Sequence, residues 1–289
     1  LWLAKITWLW RFMHPVLVKL FWMGKDVVIG TYGVMMIAAL AAGTLISLAV
    51  ARHHGYRPSE FINYCMLIIA GIIGGALLAG FILFLPERAA AGYIDYPPAL
   101  VSWGGIIGGM AALAYIKYKW KESFLRMADI ITPGYIIGLG IGRIGCFFAG
   151  CCYGIHTDSW IGITFTDPVA PASAMAQPLV PTQLISAAFL VFAGLLLIPL
   201  ALKTKTTGFT FALSAVVYSL FRFTIEFWRD DPRVFFLGLS DGQVFSVVYF
   251  LIGVVVMIYA VRTSPPPTPP LPRERGEDAS GRSDQHNHY

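Results

Sequence analysis

Residues 128–154 read ADIITPGYIIGLGIGRIGCFFAGCCYG. Between Ile130 and Tyr153 the only formal charge is Arg143. A run of that length, as an α-helix, crosses the hydrocarbon core of a bilayer. A guanidinium cannot be deprotonated, so it must face protein, water or an anion. Placing it near the bilayer centre costs roughly 3 kcal/mol on insertion scales. Keeping so costly a charge in an apolar segment points to a bound phosphate as its compensation.

The rest of the chain has the same character. Of 289 residues, 57% are hydrophobic and 13% charged, and the mean hydropathy is +0.67. A soluble domain carries about 25% charged residues. The composition therefore predicts an all-α polytopic membrane protein. Seven apolar segments reach the roughly 20 residues that spanning requires: Val28–Val50, Phe61–Phe84, Pro98–Ile116, Ile130–Tyr153, Thr182–Ala201, Phe209–Trp228 and Asp241–Ala260. Basic residues gather after the odd-numbered spans, as Arg52, Arg57, Lys117, Lys119, Lys121, Arg126, Lys203 and Lys205. The even-numbered loops are mixed or acidic. By the positive-inside rule the N-terminus lies outside and the C-terminus in the cytoplasm. The net charge of +5 does not imply nucleic acid, because no basic stripe interleaved with aromatics accompanies it.

Residues 1–24 form an N-terminal extension or interfacial segment, residues 25–262 the spanning domain, and residues 263–289 a Pro-rich disordered tail. Leu1–Trp22 carries Lys5, Arg11 and Lys19 and lacks a small-residue cleavage site, so it does not read as a signal peptide. Met13 is a candidate start.

Gly140–Gly145 matches GxGxxG, but a dinucleotide site needs that motif after a strand, and this one lies inside a span. Glycine in spanning helices lets backbones approach closely. Gly104, Gly105, Gly108 and Gly109 fit that packing role, or a glycine-lined groove for a lipid headgroup. Gly145, beside Arg143, is the strongest candidate for such a groove. Arg222, Glu226 and Arg229 follow at i, i+4 and i+7, which puts all three on one helical face. They read as an interfacial ion-pair ladder or as a second phosphate clamp with Glu226 orienting its arginines. The topology brings Arg143 and Arg222 into the same half of the membrane, where two guanidiniums can hold a phosphodiester bidentately. The chain has four cysteines. The C-x4-C-C spacing of Cys146, Cys151 and Cys152 matches no standard zinc pattern, so no metal and no cofactor are expected. Apolar packing, a disulfide or a reactive thiol stay open for them.

Tyr32-Gly33, SWGGIIGG at 102–109, GRIGCFFAGCCYG at 142–154, PTQL at 181–184 and RFTIEFWRDDPR at 222–233 occur in that order. Together they resemble the prolipoprotein diacylglyceryl transferase family over roughly residues 25–262. That family's signature reads Gly-Arg, any residue, a small residue, Asn-Phe, then Glu and Gly further on. Here Gly142, Arg143, Gly145, Phe147 and Gly154 keep it. The resemblance implies transfer of the diacylglyceryl group of phosphatidylglycerol to the lipobox cysteine of a preprolipoprotein, at the outer leaflet of the bacterial cytoplasmic membrane. It implies catalytic roles for Arg143, Arg222, Glu226 and Tyr32. Substrate-binding roles fall to Gly104, Gly105, Gly142, Gly145, Gly154, Gln183 and Arg229. Three positions depart from the pattern: Trp103 stands in place of a histidine, Cys146 of the asparagine and Cys151 of the glutamate. Trp103 cannot accept a proton, so Tyr32, Glu226 or the phosphate itself remain as candidate bases. The departures also admit a relative with another acceptor, or a phospholipid-binding or thiol-redox protein without catalysis.

Overall fold

The computed structural model describes residues 15–22, 25–91, 102–230, 235–236 and 238–263. The tail after Thr263, the proposed start at Met13 and residues 98–101 of the expected third span lie outside them, as does the side chain of Trp103. Seven helices organise the described residues: α1 (Thr31–His53), α2 (Pro58–Ala91), α3 (Ser102–Trp120), α4 (Phe124–Ala149), α5 (Thr182–Lys203), α6 (Phe209–Ile225) and α7 (Asp241–Thr263). All but α3 are long and apolar enough to cross a membrane. The chain is an all-α, multi-pass membrane protein. Helix α3 has 19 residues and carries Lys117 and Lys119 in its last turn.

Two small β elements were not anticipated. Strands β1 (Val16–Trp22) and β2 (Lys25–Gly30) form an antiparallel hairpin ahead of α1. The expected first span thus begins at Thr31 and not at Val28, because the β-branched run Val27-Val28-Ile29 favours extended backbone. A two-residue pair, β3 (Phe235–Phe236) with β4 (Leu239–Ser240), precedes α7.

Close helix pairs rest on small residues, as expected where lipid offers no hydrophobic drive for association. Helices α1 and α4 meet where Gly43 and Gly134 leave no room for a Cβ on either side. Helices α2 and α3 pair through Gly71, Gly75, Gly104 and Gly108 in the same way. Gly140 packs on Ala187 and Leu190 of α5, and Gly194 on Ile137 of α4. At one end of the bundle, Leu48, Phe61, Tyr64, Ile116, Met127, Ile130 and Ala201 form a buried cluster joining five helices.

At the opposite end, Gly150 adopts a left-handed conformation (φ 65°), and the amides of Gly150 and Cys151 turn back to the Phe147 and Cys146 carbonyls. The expected fourth span therefore stops at Ala149, four residues short of Tyr153. Residues 150–181 instead fold over this end, with Phe147, Tyr153, Ile163, Phe165, Ala172 and Leu179 as their core. The sixth span is also shorter than expected. Helix α6 ends at Ile225 and continues as a 3-10 turn, Glu226–Trp228, before Arg229 becomes extended.

Candidate active site

The C-terminal ends of α4 and α6 and the N-terminal ends of α1, α5 and α7 gather at the folded-over end of the bundle. Glu226 lies at their centre with its side chain 1% exposed. One of its oxygens, Oε2, accepts hydrogen bonds from Nη1 of Arg222 and, at 3.2 Å, from Nη1 of Arg229. The two arginine side chains are 14% and 10% exposed. Arg229 reaches the carboxylate from extended backbone and not from the same helical face, which corrects the i+7 expectation. Its strand-like bridge to Gly154 holds it there. Gly154 permits that bridge because a Cβ would meet the Val180 and Trp228 carbonyl oxygens at 2.6 and 2.7 Å.

Arg143 comes from α4, partly buried. It lies close enough to Arg222 and Arg229 for their charges to repel. Among the described residues, Arg143 has no ion-pair or hydrogen-bond partner. Among the described residues three guanidiniums thus converge here, and Arg143 carries its charge in an environment that disfavours it with no carboxylate bonded to it.

Tyr32 opens α1 and packs its ring on Gly145, where a Cβ would lie 3.4 Å from it and 2.9 Å from Met35. Gly145 is buried, and Gly142 lies looser, with Met36 Sδ at 3.5 Å as its one near neighbour. Gln183, 1% exposed, donates from Nε2 to the Cys151 carbonyl at 2.8 Å, and its Oε1 has no partner. Thr182 donates from Oγ1 to the Cys152 carbonyl at 2.7 Å. The structure therefore gathers Arg143, Arg222, Glu226, Arg229, Tyr32, Gly142, Gly145, Gly154 and Gln183. Gly104 and Gly105 sit apart from this group. Gly104 faces the Gly75 carbonyl and Ala79 of α2, and Gly105 faces Ile72, so both serve helix packing.

Two groups escaped the sequence reading. Gly242 begins α7 against the ion pair: a Cβ there would lie 2.7 Å from Arg222 Nη2 and 2.9 Å from the Glu226 carboxylate. The signal for it was the Ser240-x-x-Gln243 capping box. In that box Ser240 N donates to Gln243 Oε1 at 3.0 Å, and Gln243 N donates to Ser240 Oγ at 3.2 Å. Tyr218 is the second, one helical turn before Arg222 and within electrostatic reach of both Arg143 and Arg222.

A family profile described as prolipoprotein diacylglyceryl transferase matches residues 18–259. Among similar curated proteins, phosphatidylglycerol–prolipoprotein diacylglyceryl transferase 2 of Clostridium perfringens is 36% identical over 233 residues, covering 78% of this chain and 89% of the relative. The Clostridium tetani enzyme of the same activity is 34% identical over 252 residues, covering 84% and 96%. That of Pseudoalteromonas atlantica is 31% identical over 244 residues, covering 80% and 85%. On this evidence the chain belongs to the prolipoprotein diacylglyceryl transferase family.

Proposed function

We propose that this chain moves the diacylglyceryl group of phosphatidylglycerol to the lipobox cysteine thiol of a preprolipoprotein. The observation that carries the reading is Arg143, a guanidinium with no ion-pair partner among the described residues and within charge range of Arg222. A phosphodiester supplies the missing negative charge and matches the forked geometry of paired guanidiniums. Arg143 and Arg222 are the phosphate-facing pair. Glu226, already holding two arginines, orients them and is not free to act as a base. Arg229 closes the clamp from the side.

In the transfer, the acceptor sulfur attacks the glyceryl carbon that carries the phosphate, and the carbon–oxygen bond breaks. The bonding pair leaves on the oxygen of glycerol 1-phosphate, and the thiol proton departs from sulfur. Negative charge thus grows on the leaving phosphate, where preorganised guanidiniums stabilise it most in a site with little water. Gly145 and Tyr32 border the lipid's approach, Gly142 and Gly154 allow the backbone close to it, and Gln183 Oε1 offers an acceptor for a headgroup hydroxyl. Gly104 and Gly105 contribute by holding the α2–α3 pair.

The basic loops support a bacterial cytoplasmic-membrane location with seven spans, an outward N-terminus and the arginine end at the outer leaflet. Residues 25–262 then form the catalytic domain. The test is the mass of a lipobox peptide incubated with purified protein and phosphatidylglycerol vesicles. Arg143→Ala and Arg222→Ala should each lower transfer by at least about 100-fold. Undiminished transfer by either variant removes the reading.

A further inference from the structure

Cys146, Cys151 and Cys152 bring their three Sγ atoms within 4.8 Å of one another. All three are free thiols. The C-x4-C-C spacing matches no standard zinc pattern, and adjacent cysteines ordinarily chelate poorly because successive side chains diverge. The backbone removes the objection. Cys152 takes a left-handed conformation (φ 60°), rare for a residue with a Cβ. The Gly150 cap turns the chain immediately before it. Thr182 and Gln183 pin the carbonyls of Cys152 and Cys151, so the strained turn is held from α5. A zinc ion binds thiolates at about 2.3 Å, which brings sulfurs to roughly 4 Å apart. The cluster needs a contraction of under about 1 Å to reach that.

Arg143 and Arg229 lie within electrostatic reach of Cys152, and Arg143 of Cys146 as well. Three cysteine ligands also leave the fourth tetrahedral position open, as catalytic zinc sites do. The cluster stands where the family pattern has Asn and Glu, in a chain that has Trp103 where the family pattern has histidine.

We propose that Cys146, Cys151 and Cys152 form a site for a thiophilic divalent cation, zinc by preference, whose open position takes the acceptor thiol and activates it. This rests on the transferase reading above. The acceptor thiol binds zinc as a thiolate and releases its proton to water. Its sulfur then attacks the glyceryl carbon, the carbon–oxygen pair leaves with glycerol 1-phosphate, and the thioether, a weaker ligand, departs. No redox change occurs and no protein base is required.

The experiment titrates reduced full-length protein in phosphatidylcholine nanodiscs with Cd2+, following the ultraviolet thiolate-to-metal band, and measures zinc content directly. One ion per chain is expected. Cys146→Ser, Cys151→Ser and Cys152→Ser should each weaken binding by more than about tenfold, while Cys65→Ser, in the cluster at the far end of the bundle, binds as the unaltered chain does. Chelation should lower peptide transfer by more than about tenfold, with recovery on Zn2+ but not Mg2+. Absence of the band in the unaltered protein, a disulfide that persists in its place, or full transfer in chelator overturns the proposal and leaves the transferase reading standing. Stoichiometric metal without any transfer to peptide overturns the transferase reading, and the activating role with it.

Discussion

The two ends of the bundle treat charge in opposite ways. At the α4 N-terminal end, Asp129 accepts the amide hydrogens of Gly208 and Phe211, the latter at 2.9 Å, and so caps α6. Nearby, His54 Nε2 donates to the Ala201 carbonyl at 2.9 Å, and the Tyr56 hydroxyl donates to Glu122 Oε2 at 2.8 Å. Each of these groups finds its complement within the protein, so this end is architecture. At the other end, among the described residues, Arg143 has no ion-pair partner beside the Glu226-bound Arg222 and Arg229, and Gln183 Oε1 and Ser219 Oγ are buried without a partner. Buried polar groups are normally satisfied, and exceptions call for a missing participant. On the proposed reading, this difference separates the end that holds the fold from the end that handles substrate.

The sharpest way to break this comparison is Glu226→Gln. Removing this carboxylate leaves the buried Arg222 guanidinium without its ion-pair partner, a change that costs about 3 kcal/mol or more. Transfer should fall by more than about 100-fold, and thermal unfolding should occur at a markedly lower temperature. Phosphatidylglycerol should restore more of the lost stability in this variant than in the unaltered chain, because its phosphate replaces the carboxylate. Wild-type turnover by Glu226→Gln would show that the ion pairs are scaffolding. Gly242→Ala comes next. Its new methyl would displace the Arg222 guanidinium, so transfer should fall by about tenfold while stability changes by about 1 kcal/mol. A loss of stability with unchanged transfer per folded molecule would place Gly242 with the architecture instead.

Charge against an apolar background was the legible part of this chain. Arg143 stood out because nothing else between Ile130 and Tyr153 is charged, and Arg222, Glu226 and Arg229 stood out by spacing. What the spacing could not carry was the end of each helix. Gly150 and Arg229 leave helical geometry through local backbone choices, and a periodicity argument runs straight through both. The hairpin before Thr31 was hidden for a related reason, since its second strand is as apolar as the span it precedes. Gly242 and the three-thiol cluster depend on contacts between α6 and α7 and on a left-handed Cys152, which no one-dimensional pattern encodes. For Gly104 and Gly105 the sequence left helix packing and a lipid groove both open. Glycine pairs that suit a lipid groove suit a close helix pair equally well, and α2 takes them.

At the paired end the expected effects are smaller and fall on stability alone. Asp129→Asn keeps the shape and removes the charge that faces the α6 N-terminus. It should cost about 1 kcal/mol and leave transfer per folded molecule unchanged. A proportionate loss of transfer would mean that α6 communicates the state of its N-terminus, at Phe209, along the helix to Arg222, and the two ends would no longer be separable.

Tyr56→Phe is the mildest test. The Tyr56 hydroxyl sits in the turn between α1 and α2, and burial first, then its hydrogen bond to Glu122, pushes its ionisation above the usual value near 10. The folded chain therefore keeps this proton at pH values where the unfolded chain has lost it. The stabilisation is complete below about pH 10 and shrinks as pH rises through the folded-state value. Tyr56→Phe should cost about 1 kcal/mol at neutral pH, and its stability should decline less steeply than that of the unaltered chain above pH 10. Chemical unfolding at a series of alkaline pH values reads both effects. Parallel pH dependence in the two proteins would mean that the Tyr56–Glu122 bond is not formed, and that this end of the bundle is less fully paired than its geometry implies.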